Sequence, residues 1–210
     1  KIAKTKEWLA SGESTIYEAT FKFDDILVMV DILTKGKNGW EFYEVKSAAK
    51  VYENKSTKVK DVYVNDVAIQ YYVLKGSGLD ISSAFLVHIN NQYVRQGPLE
   101  VDKLFSFADL TETALEAQNE VVDELGTIRE VLNGGEPEIK IGVHCDKPYG
   151  CDFKAHCWPD EILNGYTVFN ISGLHDSKKF ELYESGVTKI KDVPETFPLP
   201  DNQRLQVETE

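Results

Sequence analysis

The sequence lacks any run of about 20 consecutive apolar residues, the length that a membrane-spanning helix requires. Its basic, amphipathic beginning also lacks the apolar segment of a secretory signal. We therefore expect neither membrane insertion nor export, and no membrane partner. The 210 residues, 42% of them apolar, are enough for one main globular domain with a buried core.

Cysteine is scarce, because only Cys145, Cys151 and Cys157 occur, all within thirteen residues. An odd number leaves one thiol over after any pairing, which argues against a secreted disulfide framework. A reducing compartment fits better, so we expect a cytoplasmic protein. The only methionine is Met29 and the first residue is Lys1, so we expect the chain to belong to a longer protein with further domains.

Basic residues are in the minority, with 23 Lys and Arg against 35 Asp and Glu and a formal net charge of −12. This balance argues against a protein that coats nucleic acid in bulk. The charge is nevertheless uneven, since residues 35–60 hold seven lysines and three glutamates, which gives 7 − 3 = +4. The remainder carries −12 − 4 = −16. A local basic patch that faces phosphates is therefore compatible with this acidic chain.

Hydrophobic patterning predicts an α/β fold with a mixed central sheet flanked by helices. We predict strands over residues 15–23, 26–33, 40–46 and 83–89, with residues 93–94 continuing or pairing with the last, and helices over 66–74 and 110–132. We place the main domain at residues 1–160, including a Cys-rich loop at 144–158. Residues 161–210 are predicted to form a small C-terminal appendage.

Two carboxylates and a lysine stand out at the ends of two predicted strands. Asp31 closes one strand, and Glu44 and Lys46 lie on the next, on one face because strand side chains alternate. Carboxylate oxygens suit Mg²⁺, and a nearby lysine can orient the attacking water, help to deprotonate it, or offset charge that grows on a phosphate. The same E-x-K spacing recurs at residues 53–55 and 138–140, so the triplet alone leaves open a surface ion pair between strands.

Asp31, Glu44-Val45-Lys46 and the helix that contains Gln70 together resemble the PD-(D/E)xK nuclease superfamily. The closer resemblance is to RecB-type exonucleases, including the CRISPR-associated adaptation nuclease, and it covers about residues 15–160. It implies a restriction-endonuclease-like core and a metal-dependent DNA exonuclease acting on single- or double-stranded DNA. Asp31 and Glu44 would bind Mg²⁺ or Mn²⁺, Lys46 and Gln70 would be catalytic, and Glu18 would be a further acidic residue of the site.

The helix departs from the family pattern at one position. The family motif is Q-x-x-x-Y, and Leu74 stands four residues after Gln70. Apart from the resemblance, we interpret Tyr71 and Tyr72 as core residues.

The cysteine segment is the second candidate site. Thiolates grouped as Cys145-x5-Cys151-x5-Cys157 bind soft or borderline metals, and zinc could add His144 or His156 as its fourth ligand. Some RecB-type nucleases hold a [4Fe–4S] cluster on three clustered cysteines and a fourth ahead of the core. The resemblance therefore implies such a cluster in the full-length protein, with the fourth cysteine upstream of Lys1. Zinc and no metal remain open alternatives.

A different class of function also fits the sequence. The chain could be a non-catalytic nucleic-acid or protein-binding module, with a vestigial carboxylate site and a cysteine loop that is purely structural. Nuclease activity that depends on a divalent metal separates the two hypotheses.

Overall fold

The computed structural model describes residues 1–147 and 149–210. The chain forms two compact units, residues 1–134 and residues 135–210. The sequence pattern predicts a division after residue 160 instead. The cysteine segment belongs to the C-terminal unit because Cys145 packs with Phe180, and the Trp158 ring lies 5.8 Å from the Phe180 ring.

A five-stranded sheet forms the centre of the N-terminal unit. Its strands in chain order are β1 (Thr15–Phe23), β2 (Ile26–Lys35), β3 (Trp40–Lys46), β4 (Ile81–Ile89) and β5 (Phe105–Asp109). They lie side by side in the same order, antiparallel except for the parallel pair β3 and β4. The sheet is therefore mixed and open, and the predicted α/β class is confirmed.

Helices flank this sheet. They are α1 (Ile2–Ser11), α2 (Asp61–Gly76), α3 (Val101–Leu104), α4 (Thr111–Glu116) and α5 (Gln118–Asn133). The parallel pair needs a crossover, and α2 provides it, burying Val67 and Leu74 against one sheet face. At the end of α2, a Cβ on Gly76 would lie 2.1 Å from the Phe23 ring, so only glycine allows this close approach.

A two-residue turn joins β1 to β2. Asp24 and Asp25 both have positive φ, 52° and 61°, which is the backbone of a type I′ hairpin turn. The Asp24 carboxylate accepts a hydrogen bond from Tyr72 and forms an ion pair of 2.6 Å with Arg129. The hydrogen bond from Arg129 and that from Tyr72 lower the pKa of Asp24. The turn is thereby tied to α2 and α5.

The β1–β2 ladder is interrupted in its middle. The register pairs Tyr17 with Ile32 and Ala19 with Val30, and leaves Glu18 opposite Asp31 without a ladder pair. Glu18 has φ +53°, and the alternation of buried residues slips at this point on both strands. The irregularity lies at two of the acidic residues that the sequence singles out.

Three predicted elements differ from the structure. Helix α2 begins at Asp61 rather than at residue 66, because Tyr63 and Val64 pack against the core and extend it. Residues 93–94 form no strand, since Val94 is exposed, and β5 pairs with β4 instead. The single helix predicted over 110–132 is two helices that meet at Ala117, which lets α4 pack on β4 while α5 packs on α2.

The C-terminal unit is built from short helices around its own apolar core. They are α6 (Lys154–Cys157), α7 (Asp160–Leu163), α8 (Asp176–Glu184) and α9 (Asp201–Thr209), with 3₁₀ turns at Val143–Cys145, Val168–Asn170 and Ile190–Asp192. The core consists of aliphatic residues: Val168, Ile171, Leu174, Leu182, Ile190, Val193 and Val207. Among the described residues of the whole chain, no helix has the length and apolar composition needed to cross a bilayer.

Candidate active site

The end of β3 carries charged residues on the face that α2 covers. Phe42 is fully buried in the core, and the alternation of strand side chains places Glu44 and Lys46 on the same face. Glu44 is only 7% exposed. A carboxylate so deeply buried needs partners, because an unpaired buried charge is strongly destabilising.

Lys46 provides the first partner and α2 provides the others. The Lys46 Nζ lies 2.6 Å from Glu44 Oε1 and 2.7 Å from Asp66 Oδ2. The Gln70 Nε2 donates to Glu44 Oε2 at 2.8 Å and to Asp66 Oδ1 at 3.1 Å. We call these four residues, Glu44, Lys46, Asp66 and Gln70, the Lys46 cluster. Its members connect β3 to α2 through charge-assisted hydrogen bonds.

Asp31 lies beside this cluster at the end of the β2–β3 ladder. Its Oδ2 accepts a hydrogen bond of 2.7 Å from the Val45 backbone N–H. Val45 stands between Glu44 and Lys46, so this bond fixes the Asp31 carboxylate against the E-x-K segment. The structure therefore joins Glu44, Lys46 and Gln70 directly and holds Asp31 beside them through the Val45 backbone, although the sequence places these residues on three separate elements.

The electrostatics of the cluster follow from its burial. Burial raises the pKa of Glu44, and the hydrogen bonds from Gln70 and Lys46 oppose that rise only in part. Burial alone would lower the pKa of Lys46, but the hydrogen bonds to Asp66 and Glu44 and their charges raise it above its usual value. Lys46 is consequently a cation at neutral pH, and its role is to donate hydrogen bonds and positive charge.

Asp66 is a site residue that the sequence pattern leaves unassigned. It lies four residues before Gln70, so both side chains project from the same face of α2, one turn apart. That spacing is a usable signal. It identifies Asp66 as a site residue only once this face of α2 is known to contact Glu44 and Lys46.

The one remaining residue predicted for the nuclease site lies elsewhere. Glu18 is exposed, and its carboxylate is 3.6 Å from the Nζ of Lys1 rather than within the cluster. Tyr71 and Leu74 are core residues of α2, in agreement with the interpretation of Tyr71. Tyr72 packs against the core while its hydroxyl binds Asp24 at the β1–β2 turn, so its phenol does not serve the cluster.

The donor types beside Lys46 suit a hard divalent cation. Asp31 and Glu44 offer carboxylate oxygens, and the buried Gln70 Oε1 has no hydrogen-bond partner within the described chain. In residues 1–147 and 149–210, however, no three His, Cys, Asp or Glu side chains are grouped so as to hold a metal. In this structure the Lys46 ammonium provides the positive charge that neutralises Glu44.

The cysteine segment does not provide a four-thiolate site by itself. Cys145 is buried beside Ile141 and Phe180, whereas Cys151 and Cys157 are exposed. His156 bonds to Glu136, and that hydrogen bond raises the pKa of His156. Within the described residues these thiols are not grouped with one another or with a histidine so as to hold a metal.

No protein-family model matches the chain, and no curated protein matches it significantly.

Proposed function

We propose that the chain is a Mg²⁺- or Mn²⁺-dependent nuclease, and specifically a DNA exonuclease of the PD-(D/E)xK type, that hydrolyses phosphodiester bonds by in-line attack of water. The observation that carries the proposal is the convergence of Asp31, Glu44, Lys46 and Gln70 at one end of the sheet. The E-x-K triplet at residues 138–140 lacks these neighbouring site residues, and its Lys140 is exposed.

The chain's own residues have distinct roles in this proposal. Asp31 and Glu44 would hold the cation, which supplies Lewis-acid stabilisation of negative charge on a phosphoryl oxygen when bound. Gln70 orients the Glu44 carboxylate through its bond of 2.8 Å. Because a lysine side chain is a cation at neutral pH, Lys46 donates a hydrogen bond to the phosphate or to the attacking water.

The local charge supports a nucleic-acid substrate. Lys46 begins the stretch that leads through Lys50, Lys55, Lys58 and Lys60 to α2. These lysines follow directly after the proposed catalytic residue, so a polyanion that reaches the site meets positive charge although the chain as a whole carries −12. The acidic remainder disfavours non-specific adhesion elsewhere.

One observation favours the second candidate, a non-catalytic binding module. In the Lys46 cluster both carboxylates already have a cationic partner, since one ammonium lies within 2.7 Å of each. The same arrangement is expected of a catalytic site that has lost its activity and whose side chains remain as a structural ion-pair network. Such a module binds nucleic acid or protein and leaves phosphodiesters intact.

Labelled DNA incubated with the chain separates the two candidates. We expect single- or double-stranded DNA to be degraded with Mg²⁺ or Mn²⁺ and to remain intact in EDTA, with mononucleotides released from an end. Asp31→Asn should abolish degradation, while Glu138→Gln in the exposed triplet serves as the matched control and should not. Intact DNA under all metal conditions would refute the nuclease proposal.

A further inference from the structure

A concave pocket lies just beyond the Lys46 cluster, at the carboxyl ends of the parallel strands β3 and β4. It encloses about 400 Å³. We call it the lysine pocket and define it by six of its lining residues: Lys50, Tyr52, Lys55, Lys60, His88 and Asn90. Carboxyl ends of parallel strands are a common position for ligand sites in α/β proteins.

The register of the sheet brings this pocket next to the cluster. Lys46 and His88 are direct neighbours in the β3–β4 ladder, so their side chains share the sheet face that α2 covers. The loop after β3 is held beside β4 by the bond of 3.1 Å from Ile89 N–H to the Ala48 carbonyl. A ligand that extends from Lys46 along this edge therefore enters the pocket.

The pocket carries net positive charge. Lys50, Lys55 and Lys60 line it, and within the described chain none of them lies within ion-pair distance of a carboxylate. Lys60 Nζ donates to the Lys50 carbonyl at 2.7 Å, a bond that fixes its position and leaves its charge uncompensated. Glu53 is the one carboxylate in the lining, so the lining carries 3 − 1 = +2.

A buried polar atom without a partner also lies in this lining. His88 is only 5% exposed, and its ring meets the Tyr52 ring edge-on at 5.6 Å. Its Nδ1 lies 3.1 Å from the Ile89 carbonyl oxygen, which only accepts, so Nδ1 carries a proton. Its Nε2 has no hydrogen-bond partner among the described residues. Such atoms are uncommon in folded proteins, and in a neutral ring with its proton on Nδ1 the Nε2 atom is an acceptor that an ordered water can satisfy.

We propose that the lysine pocket binds a second phosphate group of the nucleic acid, adjacent to the phosphodiester at Lys46. The proposal rests on the proposed nuclease function for the identity of the ligand. Lysine ammonium groups recognise phosphate as point charges, and each offers three N–H donors to its oxygens. The phosphate is either a terminal monoester or the next backbone diester, and both present the same oxyanion to the pocket.

Binding in EDTA tests the pocket independently of catalysis. The probes are three fluorescent single-stranded DNA hexamers, with a 5′-phosphate, a 3′-phosphate or neither, measured by anisotropy. Lys50→Ala/Lys55→Ala is the pocket variant. Lys35→Ala/Lys37→Ala is the control, since it removes the same charge at the opposite end of β3, near the turn to β2.

We expect the pocket variant to bind at least one hexamer about tenfold or more weakly, because a charge-assisted hydrogen bond is removed, while the control binds as wild type does. Its slope of log K against log salt should fall by about 0.7 for each phosphate that the variant no longer neutralises. Equal weakening for all three hexamers identifies a backbone phosphate, and weakening confined to one phosphorylated end identifies a terminal one. Equal affinities of pocket variant and control would overturn the proposal.

A second measurement does not depend on variants. In a titration with inorganic phosphate, the ring resonances of His88 should shift while those of His175, in the C-terminal unit, should not. Unmoved His88 resonances would contradict the pocket. A chain that binds DNA through the pocket but never cleaves it would refute the nuclease proposal alone, and cleavage with unaltered binding by the pocket variant would refute the pocket alone.

Discussion

Replacement of Lys46 by methionine tests the electrostatics of the site apart from any catalysis. Lys46→Met keeps an unbranched side chain one atom shorter and removes its charge. Glu44 and Asp66 then face each other with only the Gln70 amide between them. A buried carboxylate that loses its cation is still desolvated, but it no longer has the ion-pair interaction that offset the desolvation.

The magnitude follows from burial. Removal of one partner from a fully buried pair costs about 3–5 kcal/mol. The side chains of Glu44 and Lys46 are 10% and 29% exposed, so water weakens the pair, and we expect a loss of about 2–3 kcal/mol. For a unit of this size that loss lowers the Tm by roughly 10 °C. The double variant Lys46→Met/Glu44→Gln should recover at least half of the loss, because no charge then remains deeply buried.

The pH dependence gives the sign of the effect. Removal of Lys46 raises the pKa of Glu44 further, so the deficit of Lys46→Met should shrink as the pH falls and Glu44 becomes protonated. In the wild type the pKa of Lys46 is raised, so its contribution persists below 10.5, the usual lysine pKa, and is lost only as the pH rises through the higher folded value. Thermal unfolding followed by circular dichroism in EDTA measures both trends. A variant as stable as wild type at pH 7, or a deficit that is independent of pH, would refute this reasoning.

Four further substitutions test the fold. Thr5→Val removes the hydroxyl that accepts the buried Thr20 N–H at 2.9 Å, and should lower the free energy of unfolding in denaturant by about 1–2 kcal/mol. An unchanged denaturation midpoint would contradict this contact between α1 and β1. Gly39→Ala should lower the free energy of unfolding, because Gly39 has φ +152° and an added Cβ would lie 2.6 Å from a backbone carbonyl oxygen. Gly126→Ala, in open space on α5, should instead raise the free energy of unfolding by up to about 1 kcal/mol. Burial and a hydrogen bond to a neighbouring glutamate raise the pKa of Tyr43 to about 12. Ultraviolet titration should therefore show a late-titrating phenol that Tyr43→Phe removes, and an unchanged titration in Tyr43→Phe would contradict this burial.

Local rules were sufficient to predict the antiparallel half of the sheet. Alternating apolar residues and the turn at Asp24-Asp25 specify the first hairpin, and the period of two places Glu44 and Lys46 on one face. Both features depend on residues close in sequence. For that reason the proposed lysine and its carboxylate could be named before the structure.

Features that depend on distant packing could not be predicted in this way. Helix α2 begins at Asp61 because its first turns are buried against the core. Strand β5 forms where its short segment pairs with the edge of β4, and the segment's own sequence does not predict it. Asp66 joins the site only because α2 crosses over the end of β3. Glu18 is exposed beside Lys1, at a position whose positive φ is uncommon for a glutamate and is not signalled by the local sequence.

The rate of metal-dependent DNA cleavage by Lys46→Met, compared with Lys140→Met, tests the central claim most directly. Each rate is normalised to the folded fraction, so that the expected loss of stability does not enter. Loss of a positioned donor to the reacting phosphate should reduce turnover by about 10²-fold or more, while Mn²⁺ binding persists and Lys140→Met cleaves at the wild-type rate. Equal rates for the two variants would contradict the assignment of Lys46, and with it the account of this site.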